Sequence, residues 1–468
     1  MISRNPVCEL LGSTHPIVLA GMGGPSRSEL VAAVTRAGGF GFLGMVREPP
    51  ALIAREVGAL RAQGFSRFGV NIIPAATGSD LLEQQLQTII SLEVPVVSLF
   101  WDIDPRVVAR LREAGIVVVY QVGSVDEAVT AERAGASIII AQGREAGGHV
   151  RGTTALRDLL PQVAAAVSCP VLAAGGLATG ADLVVANALG ASGIVLGTAL
   201  LASDESFAHP YHKQRLLAAE AHDTLLTDLF HINWPPRAPV RVLSSAVTLG
   251  ARGHEQPDQP EVIGDEEGRP IYLFSTDSPL RSMTGDFESM ALYAGTGVGW
   301  VTASRSATSI VEHLAAEAEV LTQLDDGAPP ESSSSVCYAG EMSGGYMGQL
   351  DASEVAGEVA AVVAGLRGGL TLVLDPGRCA EQSVPPFSAG AVDWARWIVA
   401  LAPFAGAASP VTTSDTPADP LLRRTSLLGQ LRALLPRFPE GAPRRRLAVL
   451  ASELESDGFG RTAPVHRV

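Results

Sequence analysis

The chain has 468 residues, of which 47% are hydrophobic and 18% charged, a composition typical of a globular protein with room for a barrel-sized domain. Its net charge of −15 argues against nucleic-acid binding, because neutralising phosphates requires a basic face. No apolar run approaches the roughly 20 residues of a membrane span, and the N-terminus lacks a signal-like segment, so we expect a cytoplasmic protein. The four scattered cysteines favour reduced thiols over a disulfide framework or a zinc site.

Eight short apolar runs follow one another between residues 16 and 200, separated by Gly-rich or polar breaks and helical patterns. The runs are PIVLAGM, GFGFLG, RFGVNIIP, VPVVSLFW, IVVVYQV, ASIIIAQG, CPVLAAGG and SGIVLGTAL. Strands that are apolar on both faces are typical of parallel sheets covered by helices. Eight such units predict an α/β fold, a (β/α)8 TIM barrel. A doubly wound open sheet is the alternative, and the eight nearly equal units disfavour it.

The alternation of apolar runs and helical patterns ends after the eighth strand, and we predict that the rest of the chain forms additional domains. We interpret 204–284, helical at first and then rich in Pro and Gly, as a mostly helical domain inserted on the substrate side. The barrel would comprise 1–203 and about 285–324. The segment DDGAPPESSSS, 325–335, has the composition of a linker. Residues 336–468 are predicted as a C-terminal helical segment of unknown role, available for homo-oligomer formation or a partner protein.

Glycines follow the seventh and eighth predicted strands. Gly175 and Gly176 end strand 7, and Gly197 and Thr198 come late in strand 8. In a (β/α)8 barrel, these two loops often bind phosphate, and glycine lets backbone N–H groups approach the phosphate oxygens. The alternative is that they only form tight turns, but their joint occurrence at both strands favours a phosphate ligand.

His149 follows strand 6 and is preceded by Gly147 and Gly148, so we expect it at the same end of the barrel. A neutral imidazole with a pKa near its ordinary value of about 6.5 suits proton abstraction. The alternative is a hydrogen-bonded loop histidine. His209 and His212 share a helical face, but no carboxylate or cysteine completes a ligand set, so no metal is predicted.

Together these motifs resemble those of the nitronate monooxygenase family, formerly called 2-nitropropane dioxygenases. The resemblance rests on QGREAGGH after strand 6, AAGG after strand 7, LGT in strand 8 and FGVN in strand 3. It covers about residues 8–324, including TGDFESMALYAGTGVG near the end of that range. It implies an FMN-containing TIM barrel with a mostly helical second domain. The implied reaction is oxidation of an alkyl nitronate by O2 to a carbonyl compound and nitrite.

The resemblance also implies roles for individual residues. His149 would deprotonate a neutral nitroalkane or orient a bound nitronate. Gly176, Gly197 and Thr198 would hold the FMN phosphate, with Ala174 and Gly175 nearby. The other cofactor contacts would come from Gly21, Met22 and Gly23 in strand 1, from Asn71 and Gln142 hydrogen-bonding the flavin ring, from Gly147 and Gly148, and from Tyr293 and Gly295 closing the pocket. For Asn71 and Gln142, ordinary hydrogen bonding at strand ends is the alternative.

Three positions depart from the family pattern and leave the substrate open: Gly21 in place of proline, Ala199 in place of arginine and Thr296 in place of glutamine. The nearest rival is an FMN-dependent NAD(P)H reductase of the enoyl-acyl-carrier-protein reductase or quinone reductase type, which would share the barrel and a similar Gly-Gly-His. A flavin-binding partner or scaffold protein is a further alternative.

Overall fold

The computed structural model describes residues 5–325 apart from 237 and 253–259. The predicted C-terminal extension and nearly all of the predicted linker lie outside the described residues. The strands are β1 (Ile17–Leu19), β2 (Phe40–Gly44), β3 (Gly69–Ile72), β4 (Val96–Leu99), β5 (Val117–Val122), β6 (Ile138–Gln142), β7 (Gly148–His149), β8 (Val171–Ala174), β9 (Gly193–Leu196), β10 (Thr224–Thr227), β11 (Val240–Leu243), β12 (Val262–Glu266), β13 (Arg269–Tyr272) and β14 (Met283–Gly285). The helices are α1 (Pro6–Leu11), α2 (Ser28–Arg36), α3 (Pro50–Ala62), α4 (Ser79–Ser91), α5 (Pro105–Glu113), α6 (Val125–Ala134), α7 (Leu156–Ala166), α8 (Gly180–Ala188), α9 (Thr198–Leu201), α10 (Pro210–Leu217) and α11 (Ala307–Asp325).

Eight parallel strands close into a barrel in the order β1-β2-β3-β4-β5-β6-β8-β9. The barrel closes where β1 pairs with β9, with Leu19 opposite Leu196. All eight apolar runs recognised in the sequence are barrel strands, so the predicted TIM barrel is confirmed and the open doubly wound sheet is excluded.

Alternate strand residues separate two apolar cores. One cluster fills the barrel interior and includes Phe40 and Phe42, while a larger cluster lies between the strands and the surrounding helices. α1 packs Val7 and Leu11 onto the interior cluster, and Asn5 donates a hydrogen bond to the carbonyl of Ser192, just before β9. α1 therefore covers the N-terminal ends of the strands and leaves their C-terminal ends for a site.

The segment after the barrel strands is not mostly helical, so that part of the prediction is wrong. The described part of 204–284 contains one α-helix, α10, and four complete strands, β10–β13. They form two small antiparallel sheets, β10-β11-β7 and β13-β12-β14. Of the helix predicted at the start of this segment, only Pro210–Leu217 is α-helical.

Residues 1–318, which include the barrel and this segment, form one compact unit. The strand β7 comes from the loop after β6 of the barrel and pairs with β11, with His149 opposite Val240. The second segment thus fixes the loop that carries the predicted catalytic histidine. Among the helices that the structure describes, none is both long and apolar enough to span a bilayer.

Candidate active site

A cavity of about 1120 Å³ opens at the C-terminal ends of the barrel strands. It is large enough for a cofactor and a small substrate, since ligand pockets commonly have volumes of about 300–1,000 Å³. Every residue that the sequence predicted for the site lines this cavity: Gly21, Met22, Gly23, Asn71, Gln142, Gly147, Gly148, His149, Ala174, Gly175, Gly176, Gly197, Thr198, Tyr293 and Gly295. The structure therefore brings together residues that are up to 274 positions apart in the sequence, from Gly21 to Gly295.

The loop that carries His149 is held from both sides. Gln142, at the end of β6, donates its amide N–H to the carbonyl of His149 at 2.8 Å and accepts a hydrogen bond from the backbone N–H of Arg151 at 3.0 Å. Gly148 has a φ of 73°, a left-handed conformation that favours glycine. On the other side, β7 pairs with β11. The Gln142 amide thus positions the His149 loop, which corresponds to the alternative of ordinary hydrogen bonding at a strand end.

The His149 side chain has an unsatisfied hydrogen-bonding group. Its Nε2 atom is buried and has no partner among the described residues. Burial, with a smaller contribution from the positive charge of Arg47, lowers the pKa of His149 to about 3. The imidazole is therefore neutral at physiological pH, and the expectation of a pKa near its ordinary value is wrong for this state. A buried polar atom without a partner costs free energy, which a bound ligand can recover.

The glycines after β8 and β9 lie side by side on the same rim. β8 and β9 are adjacent, with Ala174 opposite Val195, so the turns that follow them are neighbours. Gly175 and Gly176 have φ values of 112° and 75°. A Cβ atom on Gly197 would touch only Met22 Sδ, at 3.9 Å, so this position is open to a ligand.

The segment at Tyr293 closes the site against several elements. Tyr293 donates its hydroxyl to the carbonyl of Thr276 at 2.8 Å. Gly295 N–H donates to Thr198 Oγ1 at 2.9 Å, and Thr296 N–H donates to the carbonyl of Glu145 at 3.0 Å. A Cβ atom on Gly147 would lie 2.5 Å from the nitrogen of Gly295, so the His149 loop and the closing segment touch through glycine backbone.

His209, the N-cap residue of α10, and His212, within that helix, have structural partners. His209 accepts a hydrogen bond from the Tyr211 N–H and stacks on Phe287. His212 Nε2 lies 3.1 Å from the carbonyl of Tyr293, and burial lowers its pKa to about 4. No group of metal-ligating side chains occurs among the residues described in the structure. His212 instead holds the segment that closes the site.

On the other side of the cavity, Asn71 donates to the carbonyl of Ser98 at 3.2 Å. A Cβ atom on Gly21 would lie 2.2 Å from Asn71 Cβ. Glycine at position 21 therefore permits the β1 loop to pack directly against β3.

Aromatic residues that the sequence analysis missed surround the imidazole. Trp234 stacks on His149, with ring centroids 3.4 Å apart and an angle of 14° between the planes. Trp101 contacts both rings edge to face. Trp234 belongs to the loop before β11, and no local motif marks it. Trp101, by contrast, follows β4 and could have been found by searching the C-terminal ends of all eight strands.

Six carboxylates and four guanidinium groups are among the side chains that line the cavity. Arg27 pairs with Glu48 at 2.8 Å, and Arg55 pairs with Glu56 at 3.0 Å. Arg269 pairs with both Glu266 and Asp277. Arg47 also lines the cavity.

Comparison with known proteins agrees with this geometry. The family model "Nitronate monooxygenase" matches residues 4–317. A probable nitronate monooxygenase of Staphylococcus haemolyticus is 31% identical over 271 residues, which cover 48% of this chain and 76% of that protein. The structure of nitroalkane oxidase from Streptomyces ansochromogenes is 32% identical, with a TM-score of 0.56, and the match covers 67% of this chain and 98% of that one. FabK from Thermotoga maritima is 30% identical, with a TM-score of 0.60, and the match covers 69% of this chain and 99% of that one.

The closed barrel, its glycine-lined rim and these likenesses define a flavin-dependent oxidoreductase. Because the family model matches more than half of its length, the chain belongs to the nitronate monooxygenase family.

Proposed function

We propose that the protein uses FMN to oxidise alkyl nitronates with O2, giving a carbonyl compound and nitrite. The observation that carries this proposal is the buried, unpartnered Nε2 atom of neutral His149 in the cavity beside the glycine-lined rim. A small polar substrate that accepts or donates one hydrogen bond there would satisfy this atom.

The residues at the rim fit a flavin mononucleotide. The adjacent turns after β8 and β9 suit the phosphate, since the turn at Gly175 and Gly176 is left-handed and Gly197 leaves its position open. The ring would lie toward Met22 and Asn71 in the same cavity. When bound, the flavin would supply the electron transfer, while the protein positions and tunes it.

His149 has the protonation state needed to hold a nitronate. A neutral imidazole carries one N–H and one lone pair, and the tautomer follows from which atom meets the ligand. In this state the Nε2 atom of His149 is available to orient the oxygens of a bound nitronate. The lowered pKa makes His149 a weak base, which favours the orienting role over abstraction of a proton from a neutral nitroalkane.

Purification followed by an assay tests this function directly. We expect a yellow protein that releases FMN, identified by chromatography, and that produces nitrite from propionate 3-nitronate in air. A protein that retains flavin and makes no nitrite from any nitronate would contradict the proposed reaction and favour the scaffold alternative.

A reductase of the NAD(P)H-dependent type is the second candidate, because the FabK structure matches this chain at least as well as that of nitroalkane oxidase. The charges that line the cavity disfavour it. A nicotinamide dinucleotide brings several phosphate charges, whereas the cavity lining has more carboxylates than guanidinium groups, and three of the four guanidinium groups are already paired. We expect no consumption of NADH or NADPH by the flavin-loaded protein under anaerobic conditions. Rapid flavin bleaching by NADH or NADPH would make the reductase the favoured candidate.

Replacing His149 separates catalysis from cofactor binding. In His149→Asn the backbone bonds of the loop are retained and the imidazole is lost. We expect full flavin content and a fall in nitronate turnover of about 10- to 100-fold, the range for a lost hydrogen bond to a charged group. The checks are flavin absorbance per protein and the steady-state rate of nitrite production, and an unchanged rate would refute the role of His149.

A further inference from the structure

Arg47 differs from the other three arginines that line the cavity. It follows β2 by three residues and has a φ of 58°, a backbone conformation that is costly for a residue with a side chain and that occurs preferentially at functional sites. Among the cavity guanidinium groups within the described residues, it is the one without a carboxylate partner. The charge of Arg47 is therefore uncompensated, whereas Arg27, Arg55 and Arg269 are each neutralised.

Two neutral groups hold the Arg47 side chain in place. Its Nη1 donates to the carbonyl of Asn233 at 2.9 Å, and its Nη2 donates to Thr276 Oγ1 at 3.4 Å. The Nε atom is buried and has no partner among the described residues. Since a guanidinium has five N–H donors and accepts nothing, Arg47 retains donors for an acceptor that the described protein does not provide.

These two holding contacts place Arg47 close to the candidate catalytic group. Asn233 immediately precedes Trp234, which stacks on His149. Thr276 accepts the Tyr293 hydroxyl through its carbonyl, and the ring centroid of Tyr293 lies 6.1 Å from that of His149. Arg47 is thus tied to two segments that each adjoin a ring next to the imidazole.

We infer that Arg47 is the anion receptor of the active site and binds the nitronate through its unused N–H donors. This inference rests on the proposed function and names the residue that binds its substrate. A half-buried, unpaired cation stabilises a bound anion strongly, because the anion compensates a charge whose desolvation is already incurred. The same cation opposes formation of an imidazolium at His149, which a proton abstraction from a neutral nitroalkane would require.

The test compares flavin-loaded wild type with Arg47→Gln, Arg47→Lys and the control Arg106→Gln. Arg106 lies on α5, outside the cavity lining, so its replacement removes the same charge from an exposed position. We expect Arg47→Gln to raise the KM for ethyl nitronate by about 10- to 100-fold, the range for a lost hydrogen bond to a charged group, and to change kcat much less. Arg47→Lys should recover part of the loss, and Arg106→Gln should behave as wild type.

A binding measurement keeps the inference separate from the reaction itself. Nitrate is a planar, unreactive anion, and we expect it to raise the Tm of flavin-loaded wild type and of Arg106→Gln but not of Arg47→Gln. If wild type makes no nitrite while nitrate still distinguishes the Arg47 variant, the proposed reaction fails and the anion receptor stands. Equal KM values for ethyl nitronate in wild type and in flavin-loaded Arg47→Gln would overturn the inference. So would loss of flavin from Arg47→Gln, because Arg47 would then bind the cofactor.

Discussion

Two histidines, the partly buried His149 and the fully buried His212, make the stability of the fold depend on pH. Burial lowers their pKa values to about 3 and about 4, both below the value of about 6.5 expected in the unfolded chain. Between these values and 6.5 the unfolded state binds more protons than the native state, so stability is lost as the pH falls through this window and is fully present above it.

Lowering the pH from 7 to 5 should therefore destabilise the protein by on the order of 2 kcal/mol for each buried histidine. In His149→Asn the contribution of that residue disappears, while all carboxylates titrate as before. We expect the difference between urea unfolding free energies at the two pH values to be smaller in the variant by about this amount. An identical pH dependence in the two proteins would show that His149 is not held neutral by the fold.

Gly197 offers a sharper test of the phosphate site than the glycines after β8. At Gly176, whose φ is 75°, a Cβ would lie 2.9 Å from Thr296 Oγ1, so any replacement strains the fold. At Gly197 the φ is −106° and the position is open. We expect Gly197→Asp to lose most of its flavin through repulsion of the phosphate, and the matched Gly197→Asn to retain much more at similar thermal stability. Flavin absorbance per protein measures both, and equal flavin content in the two variants would place the phosphate elsewhere.

At the residue scale, the sequence revealed those site residues whose signal is local. Gly147, Gly148 and His149 form a contiguous motif after a strand, and Gly175 and Gly197 mark strand ends. Trp234 has no such signal, and Arg47 has only its position after a barrel strand, because their roles arise from contacts across the fold. Arg47 reaches Asn233, 186 positions away in the sequence.

At the scale of elements, the carboxylate of Glu145 links the His149 loop to a helix. Glu145 Oε2 accepts the N–H of Leu156, the first residue of α7, at 3.0 Å. The residue in the N-cap position, Ala155, makes no side-chain capping bond. A residue distant in sequence thus satisfies one of the free N–H groups at this helix end. The glutamate of QGREAGGH therefore has a structural function.

Removing this cap should destabilise the protein and loosen the loop. We expect Glu145→Ala to lower the free energy of unfolding by about 0.5–2 kcal/mol, the usual cost of a lost helix cap. Glu145→Gln keeps an acceptor oxygen and should cost less. Urea unfolding of both variants measures the difference, and an Ala variant as stable as wild type would show that the bond contributes nothing.

The barrel strands and their helices were predictable, whereas the strands of the second segment were not. The barrel strands are continuous apolar runs buried on both faces, as in β9 with its four buried residues, and helices such as α6 end at a left-handed glycine, Gly135. In contrast, β10 reads TLLT and has no buried residue, and β12 reads VIGDE and buries only Ile263. Pairing with strands distant in sequence stabilises them, and no periodicity in a short window reports such pairing.

At the scale of the whole molecule, the last described helix completes the wall of the barrel. α11 buries Ala307, Val311 and Leu314 in the core between strands and helices. Thr308 donates its hydroxyl to the carbonyl of Ala33 at the α2 side, and the Glu317 carboxylate accepts the N–H of Gly180 at the start of α8 at 2.8 Å. A Cβ atom on Gly180 would lie 2.6 Å from the carbonyl oxygen of Leu314, so the two helices meet through glycine.

Two truncations test where the flavin-binding unit ends. A chain that ends after residue 325 retains α11 and the whole range matched by the family model, so we expect it to fold and to bind flavin as the full chain does. A chain that ends after residue 306 exposes the apolar groove that α11 covers. Because burying each Val or Leu side chain contributes roughly 1.5–3 kcal/mol, this shorter chain should show a much lower Tm or remain insoluble. Thermal unfolding and flavin content of both products measure the effect. Loss of flavin from the longer product, with its fold intact by circular dichroism, would instead show that residues 326–468 contribute to the site.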